Sequence, residues 1–314
     1  MLLPILSLLA GFILLMWSAD AFTDNGAKIA RIFNISPLVI GLLIFGFGTS
    51  APEMLVSGLA AYDGHPEMSI GNAFGSNILN IGLVLGVTAI ILPITVEKSV
   101  LKKEWLFLFL STLIVGFLLL DDFLSFTDGL ILISLLTLFL INVFRESKKN
   151  NLTDSDNDSL ENNSQKNDKG RTWLLLIVSL IILVSSARLV VWGGTSLALS
   201  FGVSDLIIGL TVVALGTSLP ELAVSISSAL KKQHQMVIGN IIGSNLFNTL
   251  GVLAIPGLIL PFQIPTEVMS RDYLFMLMFT LLVLILSMRL KISRFGGFIL
   301  LTALTIYLYQ LFWI

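Results

Sequence analysis

Apolar residues along the chain collect into ten runs, near 2–22, 36–62, 67–94, 104–121, 127–144, 172–199, 204–230, 236–260, 272–288 and 295–313. A bilayer core takes about 20 mostly apolar residues per helix, so each run predicts a membrane-spanning helix, the fourth and ninth being short. The polar breaks are brief except for "RESKKNNLTDSDNDSLENNSQKNDKGR", residues 145–171, which is rich in Asn, Asp, Ser and Lys. A segment so poor in apolar side chains cannot offset its ordering entropy. It predicts a disordered linker between a first half, 1–144, and a second, 172–314. The fold class expected is all-α integral membrane.

Composition sharpens this picture. Of 314 residues 55% are hydrophobic and 12% charged, and the mean hydropathy is strongly positive, outside the range of soluble domains. The absence of cysteine excludes disulfides and thiolate metal sites. A net charge of −2 carries no nucleic-acid footprint. The first run, "LLPILSLLAGFILLMW", has neither basic residues before it nor a small-residue cleavage site after it, and reads as a span rather than a signal peptide. Lys and Arg placement sets the orientation. With the N-terminus outside, sixteen of the 18 basic residues fall in inward loops, leaving Arg271 outside and Arg188 within a span. Both termini are therefore expected on the extracytoplasmic side of a plasma or inner membrane, with the linker inside.

The chain also repeats. A shift of 168 residues lays "GFGTSAPE" over "ALGTSLPE" and "MSIGNAFGSNILN" over "MVIGNIIGSNLFN" without a gap, and brings Ser18 onto Ser186 and Pro93 onto Pro261. Each half holds five runs, an odd number, so equivalent segments enter the membrane from opposite sides. That is an inverted repeat of five helices plus five, an architecture in which transporters place their sites near the midplane.

The polar identities concentrate in two places. Gly48, Thr49, Ser50, Pro52 and Glu53 match Gly216, Thr217, Ser218, Pro220 and Glu221. Thr49 and Ser50 precede Glu53 by four and three residues, so a helix puts all three on one face. Pro52 has no N–H for the carbonyl of Gly48, so the helix is expected to open there. Carbonyls freed around Gly46 and Ala214 then need partners inside the bilayer. In the second place Ser76, Asn77 and Asn80 match Ser244, Asn245 and Asn248, with Ser76 and Asn80, and again Ser244 and Asn248, sharing a face. Gly71 with Gly75, and Gly239 with Gly243, are spaced to let helices approach closely. Carboxylates, hydroxyls, amides and carbonyls are hard oxygen donors, suited to calcium, sodium or magnesium. A lone intramembrane glutamate can be structural, and serine or threonine often bonds its own helix. Two inverted copies, each with a helix breaker beside a carboxylate, favour a site.

Other residues are read more plainly. His65 and His234 are expected in solvated loops, and Lys231 and Lys232 as topology determinants. Asp121, Asp122 and Asp128 flank spans. Asp20 and Arg188 stand at equivalent repeat positions near span ends and are assigned no role.

"GTSAPE" with "GTSLPE", and "GNAFGSN" with "GNIIGSN", resemble the two alpha-repeats of the calcium/cation antiporter superfamily, specifically its sodium/calcium exchanger family. The resemblance spans essentially the whole chain. It implies two inverted five-helix repeats, with the second and third spans of each forming the ion site and the first and sixth moving over that core. It implies ligands at Glu53 and Glu221, with Thr49, Ser50, Thr217 and Ser218, completed by Ser76, Asn80, Ser244 and the carbonyls of Gly46 and Ala214. Ala51 replaces the usual leucine. Asn248 stands where several relatives carry aspartate, so Asn80 and Asn248 leave two carboxylates and argue against potassium dependence. One Ca²⁺ or two Na⁺ neutralises those two. A third Na⁺ would carry net charge, worth about 2.3 kcal/mol per 100 mV.

The expected function is antiport of Ca²⁺ against Na⁺ by a non-enzymatic monomer whose partners are inorganic cations and lipid, with no cofactor beyond the transported ions. Proton coupling or another divalent such as Mn²⁺ is the alternative within the same fold. A hydrolase built on paired carboxylates lacks the histidine or Gly-Asp context, and a channel would call for a continuous polar pore.

Overall fold

The computed structural model describes residues 2–153, 169–202 and 214–313. The start of the seventh predicted run and most of the polar linker therefore lie outside the described residues. Among the described residues there are ten helical stretches of 12 residues or more, with shorter turns of helix at Lys98–Lys102 and Ala214–Thr217: α1 (Leu2–Ile32), α2 (Pro37–Tyr62), α3 (Pro66–Ile91), α4 (Glu104–Leu118), α5 (Phe126–Thr153), α6 (Lys169–Ser200), α7 (Leu219–Leu230), α8 (His234–Ile259), α9 (Val268–Ser287) and α10 (Arg294–Trp313). Among the described residues eight are long and apolar enough to cross a membrane; α4, with 15 residues, and α7, with 12, are shorter.

Local chemistry explains several of the boundaries. Ser36 caps α2, accepting a hydrogen bond from Val39 N at 3.3 Å, with Pro37 in the first turn, where its missing N–H costs nothing. Ser125 and Asp128 bond reciprocally at the start of α5: Ser125 N donates to Asp128 Oδ2 at 2.9 Å and Asp128 N to Ser125 Oγ at 3.1 Å. Asp128 is thus a buried cap rather than a flanking acid. One sequence boundary moves: the ninth span is not short, because a π-helical turn at Val268–Tyr273 starts it earlier. Helix α5 runs on past residue 145 to Thr153, extending an existing helix costing far less than nucleating one.

Between α3 and α4 lies a two-residue strand β1 (Ile94–Thr95), and between α4 and α5 lies β2 (Phe123–Leu124). β3 (Phe262–Gln263) precedes α9 and β4 (Lys291–Ile292) follows it. β1 pairs antiparallel with β4, Ile94 opposite Ile292, and β2 with β3, Leu124 opposite Phe262. Since α4 separates β1 from β2, the two ribbons sit at opposite ends of the helix layer. A shift of 168 residues turns one ribbon into the other, register included. The residues with left-handed backbone obey the same shift: Asn34 with Gly202, Gly64 with Lys232, and Asp122 with Leu290.

α3 and α8 form the centre, with 72% and 89% of their most apolar stretches buried, against 28% for α1 and 33% for α6. One large apolar core joins α3 and α8 to α4, α5, α9 and α10 around the fully buried Trp105. A smaller, separate cluster, built from Leu15, Ala19 and Phe22 of α1 and Leu176, Leu183 and Ala187 of α6, seats those two helices on α2 and α7. The α1–α6 pair is thus a distinct layer against the centre.

Candidate cation site

The four segments that carry the two motifs meet in the middle of this arrangement. α2 packs on α3 and α8, α7 packs on α8 and on the π-helical turn at Asn80–Leu85, and α2 also meets the matching π-helical turn at Phe247–Val252. Widened turns of this kind are frequent at functional sites, and these two begin at or beside Asn80 and Asn248.

The closest approach is between α2 and α8. A Cβ added at Gly46 would lie 2.8 Å from the backbone of Gly243, and one at Gly41 would lie 2.9 Å from the Cα of Gly239. Glycines with no side chain let the two backbones touch. Gly239 and Gly243 therefore pack as their spacing predicts. For Gly71 and Gly75 the corresponding packing lies outside the described residues. Their repeat-related partners would fall at 209–214, most of which lies outside the described residues.

Thr49, Ser50 and Glu53 share one buried face of α2, as the three- and four-residue spacing requires. Pro52 does not interrupt the helix assigned over Gly46–Tyr62, although the Gly48 carbonyl still lacks a proline N–H. In the second copy the backbone does break: Ser218, at φ −88° and ψ 2°, stands between Ala214–Thr217 and α7, whose first turn contains Pro220. Ser218 and Glu221 are buried and Thr217 is partly so. Ala214 opens the short helix.

Thr49 Oγ1 donates to the Phe45 carbonyl at 2.9 Å and lies 3.3 Å from Ser244 Oγ, tying α2 to α8. Glu53 and Glu221 are both buried, on helices α2 and α7 that touch one another. Both carboxylate oxygens of Glu53 and of Glu221, both amide atoms of Asn80 and of Asn248, and the hydroxyls of Ser50 and Ser218 are buried without a hydrogen-bond partner among the described residues. Each orphaned neutral group costs about 1–3 kcal/mol and each bare carboxylate more. Hard oxygen donors of this kind have the chemistry to ligate a cation. Among the described residues no group of three or more acidic, histidine or cysteine side chains forms, so the two glutamates carry the negative charge.

Two braces escape a reading confined to the "GTS" and "SN" identities. Asn72 Nδ2 donates to the Glu53 carbonyl at 3.2 Å and to Ser57 Oγ at 3.0 Å. Asn240 Nδ2 donates to the Glu221 carbonyl at 3.3 Å and to Ser225 Oγ at 3.0 Å. They extend to the hydroxyls: Ser76 Oγ donates to Asn72 Oδ1 at 3.4 Å and Thr49 Oγ1 to Asn240 Oδ1 at 3.5 Å. The signal was present, since both asparagines and both serines recur at the 168-residue shift. Asn77 turns away from the glutamates, its Nδ2 donating to Thr249 Oγ1 at 2.8 Å. His234, expected in solvent, starts α8 with Nδ1 buried.

The model of the sodium/calcium exchanger protein family matches twice, at residues 3–145 and 171–313. The Alkalimonas amylolytica protein CaxA is 41% identical over 319 residues, covering 99% of each chain. The inner membrane protein YrbG of Escherichia coli is 35% identical, covering 100% of this chain and 98% of its own. A solved structure of the sodium-calcium exchanger NCX_Mj, soaked without Na⁺ and Ca²⁺, matches with a TM-score of 0.85 and 37% identity over 99% of each chain.

Proposed function

The chain belongs to the sodium/calcium exchanger family, and from that premise we propose that it is an inner-membrane antiporter moving Ca²⁺ against Na⁺. Both ions compete for the oxygens of Glu53, Glu221, Thr49, Ser50, Thr217, Ser218, Ser76, Asn80, Ser244 and Asn248, with the carbonyls of Gly46 and Ala214. Ten spans arranged as two inverted five-helix repeats place that site near the midplane, with both termini outside. The exchange of one strand ribbon for the other under the 168-residue shift, at opposite ends of the helices, supports this topology.

The cluster of buried, unpartnered oxygens around Glu53 and Glu221 carries the proposal. A donor set of two carboxylates plus neutral oxygens matches a hard cation. Its total charge is neutralised by one Ca²⁺ or two Na⁺, and a third Na⁺ would cross as net charge. The ion-free site holds two bare carboxylates, and occluding them in a dry interior costs several kcal/mol. That cost keeps the empty carrier from reorienting and couples the two fluxes. The chain acts as a single protomer with no resident cofactor.

Radioactive calcium uptake into sodium-loaded inside-out vesicles tests the reading. Uptake is expected to collapse with the sodium gradient while a pH gradient is held, and to be lost in Glu53→Gln and Glu221→Gln. Uptake that follows the pH gradient would make the coupling ion H⁺, and undiminished uptake in either variant would remove that glutamate from the site.

A further inference from the structure

Outside the cation site, Lys231 at the end of α7 reaches across to α1. Its Nζ lies 2.7 Å from Asp20 Oδ1 and 2.8 Å from Asp24 Oδ1, and donates to the Asp20 carbonyl at 2.9 Å. Ser227 Oγ adds a hydrogen bond to Asp20 Oδ1 at 2.9 Å. This cluster ties the α1–α6 layer to the centre, so Asp20 and Lys231 do more than snorkel or set topology.

The 168-residue shift sends Asp20 to Arg188 and Lys231 to Asp63. Both charges reverse sign, so complementarity is preserved. The backbone is preserved too. Asp63 (φ −79°, ψ 3°) and Lys231 (φ −83°, ψ 5°) each follow a helix end, cap it with the same pattern of hydrogen bonds, and precede a left-handed residue, Gly64 or Lys232. α1 and α6 end at equivalent residues, Ile32 and Ser200. Yet Arg188 and Asp63 are exposed, and among the described residues neither has an ion-pair partner. The helix packing is lopsided in the same sense: α1 lies along α7, whereas α6 touches α2 only lightly.

We propose that Arg188 and Asp63 are the outward counterpart of the Asp20–Lys231 pair, and that the two pairs form alternately during transport. The proposal rests on the inverted-repeat antiport reading above. In this structure the cytoplasmic pair holds α1 on α7. When the α1–α6 layer shifts across the centre, that pair opens and Arg188 of α6 meets Asp63 at the end of α2. The Lys231 and Asp20 side chains are 24% and 59% exposed, so such a pair biases rather than locks, by about two- to fivefold in population. Two latches of similar strength and opposite location keep the states close in energy, which lets the loaded carrier turn in either direction.

The absence of cysteine in the chain makes the test direct. Asp20→Cys with Lys231→Cys, and separately Asp63→Cys with Arg188→Cys, are treated in proteoliposomes with a short bifunctional thiol reagent. Both pairs are expected to crosslink, each arresting exchange. In parallel, Arg188→Asp is expected to slow exchange about two- to fivefold at low salt and less at high salt. Adding Asp63→Arg is expected to restore the rate, with calcium binding to the detergent-solubilised protein unchanged throughout. A 63–188 pair that never crosslinks, or a double reversal no better than the single, overturns the latch while sodium-driven uptake by the unsubstituted chain still stands. Absence of that uptake, with both crosslinks forming, refutes the transport reading and leaves the alternation of the pairs in place.

Discussion

The motif containing Glu53 and the motif containing Glu221 have nearly the same residues and different backbones. In the first copy an assigned helix runs unbroken from Gly46 to Tyr62 with Pro52 inside it. In the second the chain breaks at Ser218 and α7 starts with Pro220 in its first turn. Proline in a helix interior leaves one carbonyl unpaired, and at a helix start it leaves none. The motif therefore allows two backbone states, and the neighbours select one for each copy. The first copy is clamped to α8 by backbone contact at Gly46 and Gly243. The second packs along α1 and is held there by Lys231. On the antiport reading proposed above, exchanging the two conformations between the halves would turn the site to the other side.

The comparison can be broken most severely at the glutamates, where it predicts no asymmetry. Glu53→Gln and Glu221→Gln each remove one of two buried charges, at about 3–5 kcal/mol, so calcium flux is expected to fall more than about a hundredfold in both. Unequal losses would mean that the copies do not share one ion. The prolines should differ instead. Pro52→Ala supplies the missing N–H and is expected to raise stability in thermal unfolding by up to about 3 kcal/mol while slowing exchange. Pro220→Ala should move stability by less than about 0.5 kcal/mol.

The contact between α2 and α8 is probed at lower cost. Gly243→Ala drives a methyl into the Leu42 backbone, its Cα 2.9 Å away, and is expected to cost about 1–3 kcal/mol, as read by the melting temperature in detergent. Smallest is the difference between the braces. Asn240→Leu strips a fully buried network including Thr49 and should cost about 1–3 kcal/mol, against about 1 kcal/mol for Asn72→Leu, which is partly exposed.

Much of the molecule was legible in the chain. The apolar runs located the helices because length and hydropathy are set by the bilayer, whereas the ribbons and left-handed turns, which follow the same 168-residue shift, carried no signal in the chain. The polar identities singled out Glu53, Glu221, Ser50, Ser218, Asn80 and Asn248, all of which are among the buried groups that find no hydrogen-bond partner among the described residues. Less legible were the roles of Asn72 and Asn240, whose amides act on carbonyls 19 residues away, and of Asp20 and Lys231, 211 residues apart. Neither distance leaves a local pattern.

By itself the sequence determined the helical membrane class, the repeated motifs, the chemistry of the oxygen donors and the two-carboxylate charge, since each follows from residue identity and short-range spacing. Only the tertiary structure decided which copy of the proline motif is broken and which of two complementary charge pairs is closed. The two halves carry nearly the same local preferences, so any difference between them has to come from what each is packed against.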